Sequence, residues 1–203
     1  MIEVSDLYRG WTDETRADNL NSTQTRDHHM RGAFVIVVVS LLPGVVAAQA
    51  SPVATAFRDN AQQVAKNLIA AAEEFPADKF LYRPTAPQMS FAKIVTHLAD
   101  GNDYLCGKIG GVSAPQRSKV DTTSGKEVLV ARLKETFQFC DQALASIDDA
   151  KLGEQVPLFG GKPWTRAAIM TLTTADWADH YSQAANYLRL NGLVPPTAKK
   201  SGM

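Results

Sequence analysis

Hydrophobic residues recur every three or four positions in four long stretches of this chain, with charged and polar residues between them. Such spacing places one apolar stripe along a helix and predicts four amphipathic helices. The stripes contain Phe57, Ala61, Val64, Leu68, Ala71 and Phe75; then Phe91, Ile94, Leu98, Leu105 and Ile109; then Leu129, Leu133, Phe137, Cys140, Leu144 and Ile147; and finally Ile169, Leu172, Asp176, His180, Ala184 and Tyr187. No stretch of comparable length alternates as a strand does, so we expect an all-α, up-and-down helical bundle.

Residues that commonly start or stop helices flank each of the four stretches. The predicted boundaries are Pro76 after the first helix, Ser90 and Gly110-Gly111 around the second, Ser124 or Gly125 and Asp148-Asp149 around the third, and Thr165 and Asn191-Gly192 around the fourth. Between the third and fourth helices, the segment LGEQVPLFGGKPW has a Gly-Gly turn between two short runs that each contain a proline. Since proline cannot donate to a strand ladder, this segment predicts at most a small irregular hairpin.

Residues 30–50 have the pattern of a secretory signal peptide, with basic Arg31, an uncharged apolar run, and small residues at Ala48 and Ala50. A bilayer-spanning helix usually needs about 20 apolar residues, whereas this run is shorter and a Pro-Gly pair interrupts it. An anchored protein with a short cytoplasmic tail is therefore the weaker alternative. We expect cleavage after Ala50 and no stable membrane span in the mature chain.

The segment 1–29 is polar, lacks periodicity and contains six acidic residues, which is unusual before a signal peptide. We therefore expect the native product to begin at Met30 and the mature domain to span residues 51–203, either periplasmic or secreted. Its 153 residues are enough for one domain with its own core. With 17 Lys and Arg against 15 Asp and Glu, its net charge of +2 argues against nucleic acid as a partner.

Cys106 and Cys140 lie in the second and third predicted helices. In an exported protein, a disulfide between them would join these two helices. Two free buried thiols that act as small hydrophobic residues are the alternative. The spacing leaves both open, because a disulfide needs Cα atoms within about 7 Å of each other.

His97 and His180 are the only histidines after residue 50, and both fall on or beside an apolar stripe. Asp176 precedes His180 by four residues, so these two side chains share a face of the fourth helix. A buried carboxylate or imidazole is costly unless it is paired or bound to a cation. If the second and fourth helices face each other, His97 completes a set of two histidines and one carboxylate, as in catalytic zinc and non-haem iron sites. A buried Asp–His hydrogen bond, with His97 satisfied separately, is the alternative.

Six further side chains lie near these three residues in the sequence, and we assign no role to them. They are Arg83, Asp100, Trp177, Tyr181, Gln183 and Arg189. Pocket lining or substrate binding is one interpretation, but packing is more usual for the aromatic residues and solvent exposure for the charged ones.

Two stretches, FLYRPTAPQMSFAKIVTHLADGNDYLC and HYSQAANYLRLNGLVPP, resemble the DinB/YfiT-like helical bundles, a family for which metal binding is proposed. The resemblance covers about residues 52–196. Its most specific parts are Arg83-Pro84, the helix start from Ser90 to His97, and the run from His180 to Arg189. It implies an up-down-down-up four-helix bundle with three metal-binding histidines, one on the second helix and an H-x-x-x-H pair on the fourth. His97 and His180 match two of these positions, and Asp176 takes the third.

The resemblance implies that His97, Asp176 and His180 bind a divalent metal, with zinc, nickel, manganese and iron all compatible with these ligand types. It further implies a metal-dependent transferase or hydrolase that acts on a small molecule. Characterised relatives use low-molecular-weight thiols or isomerise maleylpyruvate, but export argues against a cytosolic thiol cofactor. The alternative is a non-catalytic envelope or stress-related bundle with a relict or structural metal site. Whether the protein is an enzyme, and whether it forms a homodimer, stay open.

Overall fold

Four helices account for most of the residues that the computed structural model describes, which are residues 51–199. The helices are α1, Pro52–Glu74; α2, Phe91–Gly110; α3, Lys126–Leu144; and α4, Arg166–Leu190. Their apolar stripes pack into a hydrophobic core. This mainly helical architecture confirms the all-α class that the periodicity predicts.

The predicted signal peptide at residues 30–50 and the predicted start at Met30 lie outside the described residues. Within residues 51–199, no helix combines the length and the apolar character that a bilayer crossing requires.

Polar side chains and a glycine cap the ends of α2 and α4. Ser90 Oγ accepts a hydrogen bond from the Lys93 N–H at 3.2 Å, and Thr165 Oγ1 accepts one from the Ala168 N–H at 3.1 Å. Each bond satisfies an amide that the first turn of a helix leaves unpaired, so both predicted N-caps are confirmed. Gly111 follows α2 with φ of 70°, a left-handed conformation that glycine adopts without strain.

α1 begins at Pro52, since proline is well tolerated in the first turn of a helix, and it ends before Pro76 as predicted. One helix limit differs from that predicted. α3 ends at Leu144, so Ile147 lies outside the helix although it is buried. The amide of Ile147 donates to the Leu144 carbonyl oxygen in a turn that continues the apolar spacing without continuing the helix.

A short antiparallel hairpin connects α3 to α4. Its strands are β1, Gln155–Leu158, and β2, Lys162–Thr165. Pro157 and Pro163 lie opposite each other, and Gly160 and Gly161 form the turn with φ of 69° and 80°. The expected small hairpin is therefore confirmed.

A buried hydrogen-bond chain joins three of the four helices. Trp177 Nε1 on α4 donates to Asn102 Oδ1 on α2 at 2.8 Å, and Asn102 Nδ2 donates to Thr136 Oγ1 on α3 at 3.2 Å. All three side chains are almost fully buried. Because the Trp177 indole N–H and both ends of the Asn102 amide have partners, these hydrogen bonds align the three helices at no cost of an unsatisfied group at Asn102.

Cys106 and Cys140 form a disulfide one helical turn after Asn102 and Thr136, with Cα atoms 5.1 Å apart. The bond joins α2 to α3 and decides between the two alternatives that the sequence leaves open. Both cysteines are buried, and the structure describes no free thiol between residues 51 and 199.

α2 and α3 approach each other closely at Gly110. A Cβ atom at this position would overlap the carbonyl oxygen of Ala143 on α3. Any larger residue would therefore push the two helices apart near the disulfide.

Candidate metal centre

His97 lies in the second turn of α2, between the buried residues Thr96 and Leu98. Its side chain is 24% exposed, so it stands at the edge of the buried face, as the stripe predicts. It points towards α4, where its Nε2 atom is 3.4 Å from Asp176 Oδ1.

Asp176 and His180 lie one turn apart in the middle of α4, on one face of the helix. The His180 side chain is 7% exposed and that of Asp176 is 17% exposed. Nδ1 of His180 is 2.8 Å from the backbone carbonyl oxygen of Asp176. Since a carbonyl oxygen can only accept, Nδ1 is the donor in this contact, and Nε2 is the ring nitrogen that is left for another partner.

The three side chains that the sequence singles out converge in the structure. Asp176 Oδ1 is 3.4 Å from both His97 Nε2 and His180 Nδ1, and the two imidazole rings are 4.6 Å apart between centroids. Each residue offers one ligand-type atom within 4.8 Å of the other two. The expectation that α2 and α4 bring these residues together is confirmed.

The hydrogen bond between His97 Nε2 and Asp176 Oδ1 is long, at 3.4 Å. An N–H···O bond is usually about 2.7–3.2 Å between heavy atoms, and charge-assisted bonds are shorter still. Both contacts to Asp176 Oδ1 are 3.4 Å, and the Nδ1 proton of His180 goes to a carbonyl oxygen instead. The carboxylate is therefore near both imidazoles without being held tightly by either of them.

The donor set suits a transition metal. Metal–nitrogen and metal–oxygen bonds of about 2.0–2.2 Å place two ligand atoms of one ion about 3–4 Å apart. One ligand-type atom of each of His97, Asp176 and His180 lies within 4.8 Å of the other two, which is close to that separation. The bond from His180 Nδ1 to a carbonyl oxygen is also the outer contact that metal-bound histidines usually make.

The aromatic residues beside the cluster have structural contacts. Trp177 is buried, and its ring stacks on Phe57 with centroids 5.9 Å apart. The Tyr181 hydroxyl donates to Thr197 Oγ1 at 2.8 Å and so attaches the segment after α4 to that helix. Packing is therefore the observed role of both side chains.

Three of the remaining flanking residues make local hydrogen bonds. These run from Arg83 to the Ala86 carbonyl oxygen at 3.3 Å, from Gln183 to the Asp179 carboxylate at 2.8 Å, and from Arg189 to the Asn186 side chain at 3.4 Å. Asp100 is exposed on α2, one turn after His97.

Two residues that the sequence reasoning missed lie close to the cluster. Asn102 occupies the gap between Leu98 and Leu105 in the α2 stripe, and that gap was the signal that a buried residue had been overlooked. Gly101 lies against Asp176, since a Cβ atom there would be 3.8 Å from Asp176 Oδ2. Nothing in the apolar pattern points to Gly101, because a helical glycine has no side chain to place.

Comparisons with known proteins agree with this architecture. The sequence model of the DinB superfamily matches residues 60–184. No curated protein matches the sequence.

Solved structures with a similar fold include two DinB-like proteins and one conserved protein. The DinB-like protein of Bacillus subtilis is 18% identical, with a TM-score of 0.58 over 72% of this chain and 99% of that chain. The DinB-like protein of Bacillus cereus ATCC 10987 is 11% identical, with a TM-score of 0.58 over 70% and 95% of the two chains. The protein of Enterococcus faecalis is 13% identical, with a TM-score of 0.55 over 68% and 96%. Since the superfamily match spans more than half of the sequence, this chain belongs to the DinB superfamily.

Proposed function

We propose that the domain binds one divalent metal ion through His97, Asp176 and His180. The observation that carries this proposal is the convergence of two imidazoles and one carboxylate within 4.8 Å, at the edge of the hydrophobic core. Two neutral imidazoles and one carboxylate are suitable ligands for zinc, nickel, manganese or iron. The carboxylate gives the site one negative charge, which a site with three histidines would lack.

We further propose that the bound metal is catalytic, in a transferase or hydrolase that acts on a small molecule. Three protein ligands leave at least one coordination position for water or substrate, as catalytic sites do. The partial exposure of His97 and Asp176 supports access from one side, whereas His180 lies deeper. A metal in such a site polarises a substrate oxygen or lowers the pKa of bound water.

The proposed arrangement of the helices is up, down, down, up. Asn102 contacts Thr136 and Cys106 contacts Cys140, a constant offset of 34 residues that supports a parallel α2 and α3. His97 contacts Asp176 and Ile109 contacts Arg166, so residue numbers rise along α2 as they fall along α4, which supports an antiparallel pair. In this arrangement the ligands come from adjacent antiparallel helices, one from the second turn of α2 and two from the middle of α4.

Export of the domain to the periplasm or beyond the cell is also part of the proposal. The disulfide between Cys106 and Cys140 supports it, because structural disulfides persist in oxidising compartments and are rare in the cytosol. The signal-peptide pattern of residues 30–50 supports it independently. An exported enzyme works away from the reducing thiol pool, so we favour water over a cytosolic thiol as the metal-bound reactant.

Cobalt(II) spectroscopy separates a catalytic site from a structural one. We expect the cobalt-loaded protein to show visible absorption bands that change when azide is added, because azide takes the open position without reducing the disulfide. His180→Ala should abolish the bands. Bands that azide leaves unchanged, together with a lower melting temperature after chelation, would instead identify a closed structural site.

A further inference from the structure

The side chains of His97 and Asp176 are not fixed by hydrogen bonds of their own. The bond between them is 3.4 Å long, and the contact of Asp176 with His180 is 3.4 Å as well. Among residues 51–199, neither the His97 nor the Asp176 side chain makes another hydrogen bond, and the two are 24% and 17% exposed. Their separation therefore depends on how α2 and α4 are held relative to each other.

A buried hydrogen bond joins α2 to α4 close to this cluster. Trp177 Nε1 donates to Asn102 Oδ1 at 2.8 Å, and we call this bond the α2–α4 link. Trp177 directly follows Asp176 on α4. Asn102 follows His97 by five residues, which is a rise of about 7.5 Å along α2. The link is therefore close to a proposed ligand on each of the two helices.

Both partners of the α2–α4 link are held in place by further contacts. The Trp177 ring is buried and packs against Phe57 and Phe137, with ring centroids 5.9 Å away in each case. Asn102 is also buried, and its Nδ2 atom donates to Thr136 Oγ1 at 3.2 Å. Because neither side chain is free to move, the link fixes the local position of α2 against α4.

The location of the α2–α4 link differs from that of the other hydrogen bonds between these helices. Arg166 donates to the carbonyl oxygens of Lys108 and Ile109, at the opposite end of α2 from His97. Those bonds satisfy the last carbonyl groups of α2, as a basic side chain at a helix end commonly does. The α2–α4 link has no such capping role.

Stability alone does not explain a buried amide at position 102. Asn102 interrupts the apolar stripe of α2 between Leu98 and Leu105. Burying an amide is costly, and its hydrogen bonds largely offset that cost without adding much net stability. What a directional hydrogen bond adds is a defined position of its partners. A defined position matters most beside a site whose ligands come from both helices.

We propose that Asn102 is a positioning residue of the metal centre. Through Trp177 it sets how far His97 on α2 lies from the two ligand-type residues on α4, and it is not a ligand itself. The binding of an ion rests on the proposed function, whereas the placement of His97 by Asn102 does not.

The zinc affinities of Asn102→Leu and Thr136→Val test this role in the full protein, by competition with a chromophoric chelator. Asn102→Leu removes the α2–α4 link, whereas Thr136→Val removes a bond of the same network and keeps the link. We expect Asn102→Leu to weaken zinc binding by about 10–100-fold, as the loss of outer contacts in metal sites usually does, and Thr136→Val to change it less than about two-fold.

Both variants should melt at a lower temperature than the wild type, because each leaves a buried polar group without its partner. A role in stability alone therefore predicts similar zinc affinities for the two variants. Unchanged affinity in Asn102→Leu, or an equal loss in both variants, would overturn the proposal.

The double variant Asn102→Leu, Trp177→Phe keeps the test decisive if Asn102→Leu does not fold. It removes both partners of the α2–α4 link, so no unpaired donor remains at position 177 and the protein should tolerate the change better. We expect it to bind zinc as weakly as Asn102→Leu. Wild-type zinc affinity in the folded double variant would count against the role of Asn102.

NMR of the metal-free protein separates this proposal from the metal site. The imidazole rings of His97 and His180 are 4.6 Å apart between centroids, close enough for a nuclear Overhauser effect between their ring protons. The effect should appear in the wild type and in Thr136→Val, and it should disappear in Asn102→Leu. Its persistence in Asn102→Leu would contradict the placement of His97 by Asn102. The expected pattern in a protein that binds no zinc would support that placement and refute only the metal site.

Discussion

Asp176 supplies the only negative charge among the three ligand-type side chains of the candidate metal centre. Its carboxylate is 3.4 Å from one ring nitrogen of each histidine. A carboxylate binds harder cations than imidazole does, so it shifts the preference of the site towards manganese and iron relative to a site with three histidines. Both the affinity and the selectivity of the site should therefore respond to this one residue.

Asp176→Asn removes the charge with little change in shape. We expect it to weaken divalent-metal binding by at least about 10–100-fold, the loss usually seen when even an outer contact of a metal site is removed. Competition with a chromophoric chelator measures the change in affinity. Asp179→Asn is the matched control, because Asp179 is an exposed carboxylate on the same helix whose contact is with Gln183. Equal affinities for both variants would exclude Asp176 as a ligand.

Local spacing was sufficient to place Asp176 and His180 on one face of α4, because the positions of residues four apart on a helix follow from helical geometry alone. The contact with His97 was a different kind of prediction. It depends on which helices are neighbours, and only the family resemblance indicated that. The stabilising contacts of Asn102 were missed because its partners, Trp177 and Thr136, lie on two other helices.

At the scale of the elements, α2 has two kinds of glycine. Gly110 lets α3 approach, whereas Gly101 leaves space beside Asp176. Packing against α3 requires a glycine at position 110. Packing does not require one at position 101, where glycine only weakens the helix. The two positions should therefore respond in opposite directions to the same substitution.

Gly101→Ala should stabilise the domain by about 0.5–1 kcal/mol, because alanine restricts the unfolded chain and fits the available space. Gly110→Ala should destabilise it by about 1–3 kcal/mol, since the new methyl group meets the Ala143 backbone. Urea denaturation of both variants beside the wild type measures the two free energies of unfolding. Destabilisation of similar size at both positions would contradict the distinction between them.

At the scale of the whole molecule, the four helices and their caps were predictable because apolar periodicity and cap residues are local signals. Ile147 was assigned to the third helix because it keeps the apolar spacing, but it lies beyond the end of α3. The disulfide was not predictable from the positions of Cys106 and Cys140. It requires α2 and α3 to lie side by side in one register, which only the folded chain establishes.

Replacing both cysteines by alanine should lower the free energy of unfolding by about 2–4 kcal/mol, because the disulfide closes a long loop in the unfolded chain. The two cysteines are 34 residues apart in the sequence. Urea denaturation of the oxidised wild type and of the double variant measures the loss, and the reduced wild type should resemble the variant. A free thiol titre of two in the denatured, unreduced protein would contradict the disulfide itself.

Metal content tests the central claim most directly. The protein is loaded with zinc, passed through a desalting column and analysed by inductively coupled plasma mass spectrometry, beside Asp176→Ala and His180→Ala. The account predicts about one equivalent of metal per chain in the wild type and a large loss in both variants. A wild type without stoichiometric metal, or variants that retain it, would contradict a metal centre at His97, Asp176 and His180.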